Sequence, residues 1–198
     1  MAIPEMEQAS LEQCMTQGNR MVEEGNPDEA RKWFVQADKA SPNNARALDG
    51  LAWTYYMTGQ SKKARELLEQ SIEYDPAFAE AYTDLGCVMH DLGDYNEAER
   101  LHRYCIKLDP GRHDAHMNLG ILYYQWERLD AAEDMFKQAV ICEPSHADTY
   151  QLLGEVQLAK EDFAGAIVSL KRCVELQPDN LEADILLKHA EFELKHTD

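Results

Sequence analysis

The chain is short of positive charge. Among its 198 residues it has 19 Lys and Arg against 37 Asp and Glu, a formal net charge of −18. Nucleic-acid binding needs clustered Lys and Arg against phosphate, and an anionic membrane surface makes the same demand, so the balance argues against both as partners. The acidic balance fits a basic or mixed-charge protein segment, or serves solubility alone. No window approaches 18 continuous apolar residues, so no membrane-inserted helix is expected. The opening MAIPEMEQAS has neither a basic stretch nor an apolar one and does not read as a signal peptide. The five cysteines (Cys14, Cys87, Cys105, Cys142, Cys173) are odd in number, show no CxxC and fall in helical patterns. That suits a reducing compartment better than a disulfide framework, and the expected location is the cytoplasm. GxxxxGK[ST], HExxH, GxSxG and a GxGxxG after a strand are all missing, so no enzyme activity and no cofactor are expected.

What the chain has is a period. Pro42, Pro76, Pro110, Pro144 and Pro178 lie 34 residues apart. Aligned on that interval, Gln17, Leu51, Leu85, Leu119 and Leu153 form one column, followed by Gly18, Ala52, Gly86, Gly120 and Gly154. Ala30, Ala64, Ala98, Ala132 and Ala166 form a third, without exception, and Phe34, Leu68, His102, Phe136 and Leu170 a fourth. A small-residue column follows: Ala37, Ser71, Cys105, Ala139 and Cys173. A large-ring column reads Cys14, Leu48, Tyr82, His116 and Tyr150.

These columns resemble the tetratricopeptide repeat signature, W-x2-L-G-x2-Y, then A-x3-F, then P. The resemblance covers residues 11–180 as five repeats, 11–44, 45–78, 79–112, 113–146 and 147–180. Residues 181–198 resemble the capping helix of such arrays, and Leu11 to Asp198 with the leader 1–10 read as a single solenoid domain. The implied fold class is all-α, a right-handed α-solenoid of helix–turn–helix repeats. The small columns are where paired helices cross. Gly25, Gly59 and Gly93 mark the turns between helices, while Glu127 and Glu161 stand there in the last two repeats and predict a different turn geometry. Each proline ends a second helix. Pro4 predicts a first helical turn, with residues 5–10 extending the first helix. In the cap, Leu187, Ala190 and Leu194 are expected to face the fifth repeat, with Ile185 and Phe192 pointing elsewhere.

In this family the first helix of each repeat lines a concave groove where peptides bind. On this register the groove takes Met15, Asn19, Arg46, Asp49, Trp53, Tyr56, Thr83, Asp84, Cys87, His90, Asp91, Asp114, Met117, Asn118, Ile121 and Tyr124. Trp53, Tyr56, Met117, Ile121 and Tyr124 have the character of interface anchors, or else they cover neighbouring helices within the stack. Asp49, Glu80, Asp84, Asp91, Asp114 and Asp148 are acidic, with Arg46 alone opposing them. The implied function is a non-catalytic scaffold or adaptor that holds an apolar segment with basic residues. The heat-shock co-chaperone subclass, which grips a carboxylate with Lys, Asn, Asn, Lys and Arg, is excluded, because Met15, Asn19, Gly50, Glu80 and Asp84 stand at those positions. Self-assembly into a homo-oligomer through a terminal helix in a neighbour's groove is the alternative, with a secretion-type chaperone more remote. His113 and His116, in the run His-Asp-Ala-His, are a weak candidate metal pair; otherwise His116 packs in the ring column and His102 in the core.

Overall fold

The computed structural model describes residues 9–196. The leader before Ala9 lies outside the described residues. Ser10 is not helical: its extended backbone (φ −68°, ψ 162°) caps the first helix, its hydroxyl accepting from Gln13 N while the Gln13 side chain accepts from Ser10 N. This reciprocal pair fixes the helix start at Leu11 and corrects the expected extension through Ser10.

Eleven helices follow among the described residues. In the unit ending at Leu108 they are α1 (Leu11–Glu23), α2 (Pro27–Ala40), α3 (Ala45–Met57), α4 (Ser61–Tyr74), α5 (Ala79–Asp91) and α6 (Tyr95–Leu108). In the unit starting at Asp109 they are α7 (His113–Gln125), α8 (Leu129–Cys142), α9 (Ala147–Ala159), α10 (Phe163–Leu176) and α11 (Leu181–His196). Within each unit every helix packs on the next, and the odd-numbered helices also touch one another, α1 on α3 on α5, and α7 on α9 on α11. The chain is an all-α repeat solenoid.

The small columns explain the pairing. Ala30, Ala64, Ala98, Ala132 and Ala166 are fully buried. A Cβ on Gly86 would fall 2.4 Å from Cε1 of His102, so only glycine lets α5 lie this close to α6. The second helices stop two residues before each proline. Ser41, Asp75, Glu143 and Gln177, each preceding a proline, have φ between −135° and −144°, outside the helical region.

The turns inside the repeats overturn one expectation. Glu127 (φ 57°) and Glu161 (φ 61°) adopt the same left-handed conformation as Gly25, Gly59 and Gly93. Their hydrogen bonds match as well. Gly93 N donates to His90 O and Asp94 N to Met89 O, both at 2.9 Å; Glu127 N donates to Tyr124 O and Arg128 N to Tyr123 O, also at 2.9 Å. One Schellman-type closure serves all five turns, because helices crossing at the same small residues must reverse over the same distance.

In the capping helix, Ala183 and Ala190 are buried against Leu170 and Cys173, with Leu186 and Leu187 partly covered. Leu194 is exposed, which corrects its placement against the fifth repeat, and Leu181, Ile185 and Phe192 are exposed too.

Candidate peptide-binding face

In the first unit the first helices of the repeats, α1, α3 and α5, carry the predicted groove residues. Asn19, Arg46 and Asp91 are exposed, and Trp53, Tyr56, Asp84, Cys87 and His90 are half-buried. The Trp53 and Tyr56 rings lie one helical turn apart with centroids 5.1 Å from each other, tilted by 40°. The Tyr56 hydroxyl donates to the Asp91 carboxylate on α5; burial, that bond and the charges of Asp91, Cys87 and Asp84 push the phenol's pKa well above its usual range, so it stays a donor. His90 is held between the Tyr95 ring, at 5.1 Å, and Asp91, at 3.7 Å. Arg46 sits 4.0 Å from Glu12, both exposed, a contact worth little by itself.

One column is corrected. Asp49 is 6% exposed, and Met15 and Thr83, at the same place in neighbouring repeats, are buried as well. Thr83 donates to Cys105 Sγ at 2.9 Å. This edge of the first helix faces protein, so Asp49 adds no open carboxylate to the face.

In the second unit α7 brings Asp114, Met117, Asn118, Ile121 and Tyr124 together, all half-buried. Asp114 is neutralised by Arg112, whose Nε and second terminal nitrogen donate to its two oxygens at 3.1 and 2.5 Å. Sequence reasoning missed this partner: Arg112 precedes the helix, and its reach round the first turn depends on side-chain direction. Met117 turns partly toward α9, where the Thr149 hydroxyl lies 3.7 Å from its Sδ.

The two histidines proposed as a metal pair part company. His113 Nε2 meets Thr149 Oγ1 at 2.8 Å, and its ring lies 4.3 Å from that of His146. Burial, then the neighbouring His146, lowers the His113 pKa against the pull of Glu143 and Asp114. His116 Nε2 lies 3.0 Å from Pro110 O. A carbonyl only accepts, so that nitrogen carries the proton. Tyr82 donates to Pro76 O at 3.1 Å and Tyr150 to Pro144 O at 3.3 Å, so His116 does the work of its ring column, tying the helix to the proline six residues back. No group of three His, Cys, Asp or Glu among the described residues is placed to hold a metal ion. All five cysteines are free thiols. Burial pushes the Cys14, Cys142 and Cys173 thiols up, away from the reactive thiolate. No helix of the described residues is long and apolar enough to cross a membrane.

Stacked helix pairs crossing at small residues, with first helices side by side, define the class of helical-repeat interaction scaffolds. The chain belongs to the tetratricopeptide repeat family, which matches residues 21–85 and 89–156. A related family, SHNi-TPR, matches residues 147–184. No curated protein matches the chain. Among solved structures it is similar to TTC0263, a thermophilic tetratricopeptide repeat protein of Thermus thermophilus, at 21% identity and a TM-score of 0.78, covering 92% of this chain and 100% of that one. It is similar to MamA at 25% identity and a TM-score of 0.66, covering 83% and 96%. It is also similar to YrrB, a tetratricopeptide repeat protein with an unusual peptide-binding site, at 21% identity and a TM-score of 0.61, covering 90% of each chain. The family is one of generally non-catalytic scaffolds for protein–protein interaction.

Proposed function

We propose that the chain is a non-catalytic adaptor whose first-helix face holds a protein or peptide segment, apolar with basic residues. The observation that carries this is the Trp53–Tyr56 ring pair: two large aromatic side chains, half-buried and 5.1 Å apart, fixed by the Tyr56–Asp91 hydrogen bond across two repeats. Rings already held in place lose little freedom on binding. Glu80 and Asp91 lie exposed on α5 of the same unit and favour Lys or Arg beside the apolar anchor.

The test is titration with an apolar peptide flanked by Lys and Arg, by calorimetry at low and physiological salt. Trp53→Ala with Asp91→Lys should weaken binding about tenfold or more, as loss of an aromatic anchor does, and added salt should weaken binding to the native chain. Equal affinity in the native and double-variant chains would remove this face from the account.

A second reading is favoured by α11, where Leu181, Ile185 and Phe192 share one exposed face. Such a row serves self-association as well as a foreign partner. Light scattering that gives a concentration-independent monomer for the native chain, or an oligomer unchanged by Ile185→Ser with Phe192→Ser, would dismiss that reading.

A further inference from the structure

His113 and His146 sit at two helix starts. His113 is the first residue of α7, and His146 is the N-cap of α9. Their rings are 4.3 Å apart. Thr149, fully buried, lies between them, its Oγ1 at 2.8 Å from His113 Nε2 and 2.9 Å from His146 Nδ1. A hydroxyl has one proton to give. With both rings neutral, Thr149 donates to one ring nitrogen and accepts from the other, and every group is satisfied.

A first proton leaves that arithmetic intact, since the ring that stays neutral can accept from the hydroxyl; with both rings protonated, both nitrogens facing Thr149 carry protons, and the hydroxyl must turn its own toward Met117 Sδ, a weak acceptor 3.7 Å away. A second proton sets two cations 4.3 Å apart, each at a helix N-terminus where the dipole opposes positive charge. The groups facing the pair offer little relief. From the α8 end, Glu143 Oε2 is 3.5 Å from His113 Nδ1, but its side chain is half in solvent. On α7, Asp114 is occupied by Arg112, and His116 turns to Pro110 O, which also accepts from Cys142 Sγ. The run His-Asp-Ala-His points to His116 as the partner of His113; the ring that meets it in the structure belongs to the next repeat.

We propose that His113, His146 and Thr149 form a pH-sensitive latch that fastens the start of α9 to the start of α7 when neutral and lets go as the pH falls below neutrality. The direction follows from His113. Burial, with His146 second, lowers its pKa below the ordinary 6.5. The unfolded chain therefore takes the proton more readily, so the stability is full above pH 6.5 and is lost as the pH falls through and below that value. Release loosens the helix that carries Met117 and Ile121, whatever occupies that face.

The experiment is amide exchange over residues 147–151 of the full chain at pH 7.5 and 5.5, corrected for intrinsic rates, with the His113 ring followed by NMR. His113→Gln puts an amide nitrogen where Nε2 stood, and His146→Asn does the same for Nδ1, neither titrating. The native chain should exchange several-fold faster at the lower pH, because the unfolded chain takes the proton more readily than the folded one. The double variant should show no such rise. A His113 midpoint at or above the ordinary imidazole value, read on the native chain alone, overturns the proposal even if the variants fail to fold. A pH response in the double variant equal to that of the native chain overturns it too.

Discussion

At residues 127 and 161 a glutamate holds a backbone conformation that crowds an L side chain against its own carbonyl. The cost is about 1–2 kcal/mol for each such residue, and the first three turns avoid it with glycine at φ between 70° and 83°. Both glutamate side chains are exposed, so nothing in the packing repays the strain. Glu127→Gly and Glu161→Gly should therefore each stabilise the chain by about 0.5–1 kcal/mol, the relief reduced by the larger entropy of glycine in the unfolded state. Thermal unfolding checks this. The reciprocal change, Gly93→Glu, should lower the midpoint, and a rise would contradict the assignment of strain.

At the scale of the helix pair, the crossing point decides what each repeat tolerates. A Cβ added to Gly86 would overlap the His102 ring at 2.4 to 2.8 Å, and that ring is buried. Gly86→Ala should cost about 1–3 kcal/mol by overpacking. The second repeat already carries Ala52 and Leu68 at the matching positions, both fully buried. His102→Leu should then restore at least half the loss in the Gly86→Ala chain, and denaturant melts of the four members of the cycle measure the coupling. An additive result would mean that the ring is not what limits the approach. Positions like these were legible in the sequence, because the requirement for a small residue comes from one helix lying on its partner and recurs with every repeat. The column of Met15, Asp49 and Thr83 was misread for a related reason. A repeat register tells which way a side chain leaves its helix, but not how far the neighbouring helix reaches over it. Arg112 on Asp114, and Thr149 between two histidines, depend on side-chain directions that no period encodes. The binding character of Trp53 and Tyr56 could be read from residue type; the bond from Tyr56 to Asp91 could not.

For the molecule as a whole, acid works in opposite directions. A chain with 18 surplus negative charges gains from protonation, which relieves its self-repulsion. Against this stands a polar network in the second unit. Glu133 on α8 is buried and receives Lys137 at 2.7 Å, Lys160 at 2.6 Å and Gln157 at 3.4 Å. Gln157 on α9 in turn accepts from Ser169 on α10 at 2.7 Å, so three successive helices share the network. Burial alone would raise the Glu133 pKa, but the hydrogen bonds from Lys137 and Lys160 outweigh it and hold the carboxyl at about 2. The unfolded chain, near the ordinary 4.5, takes up the proton first. The network's stabilisation is therefore complete above pH 4.5 and is lost as the pH falls from there through about 2. Glu133→Gln keeps the shape and removes the titration. At pH 7 it should cost about 1–3 kcal/mol, because Lys137, Lys160 and the buried Gln157 lose their charged acceptor. Between pH 4.5 and 2.5 the gap between native and variant melting temperatures should close, since the native network weakens while the variant has nothing there to lose. A gap that stays constant over that range would show that the carboxylate holds α8, α9 and α10 together no better than its neutral amide.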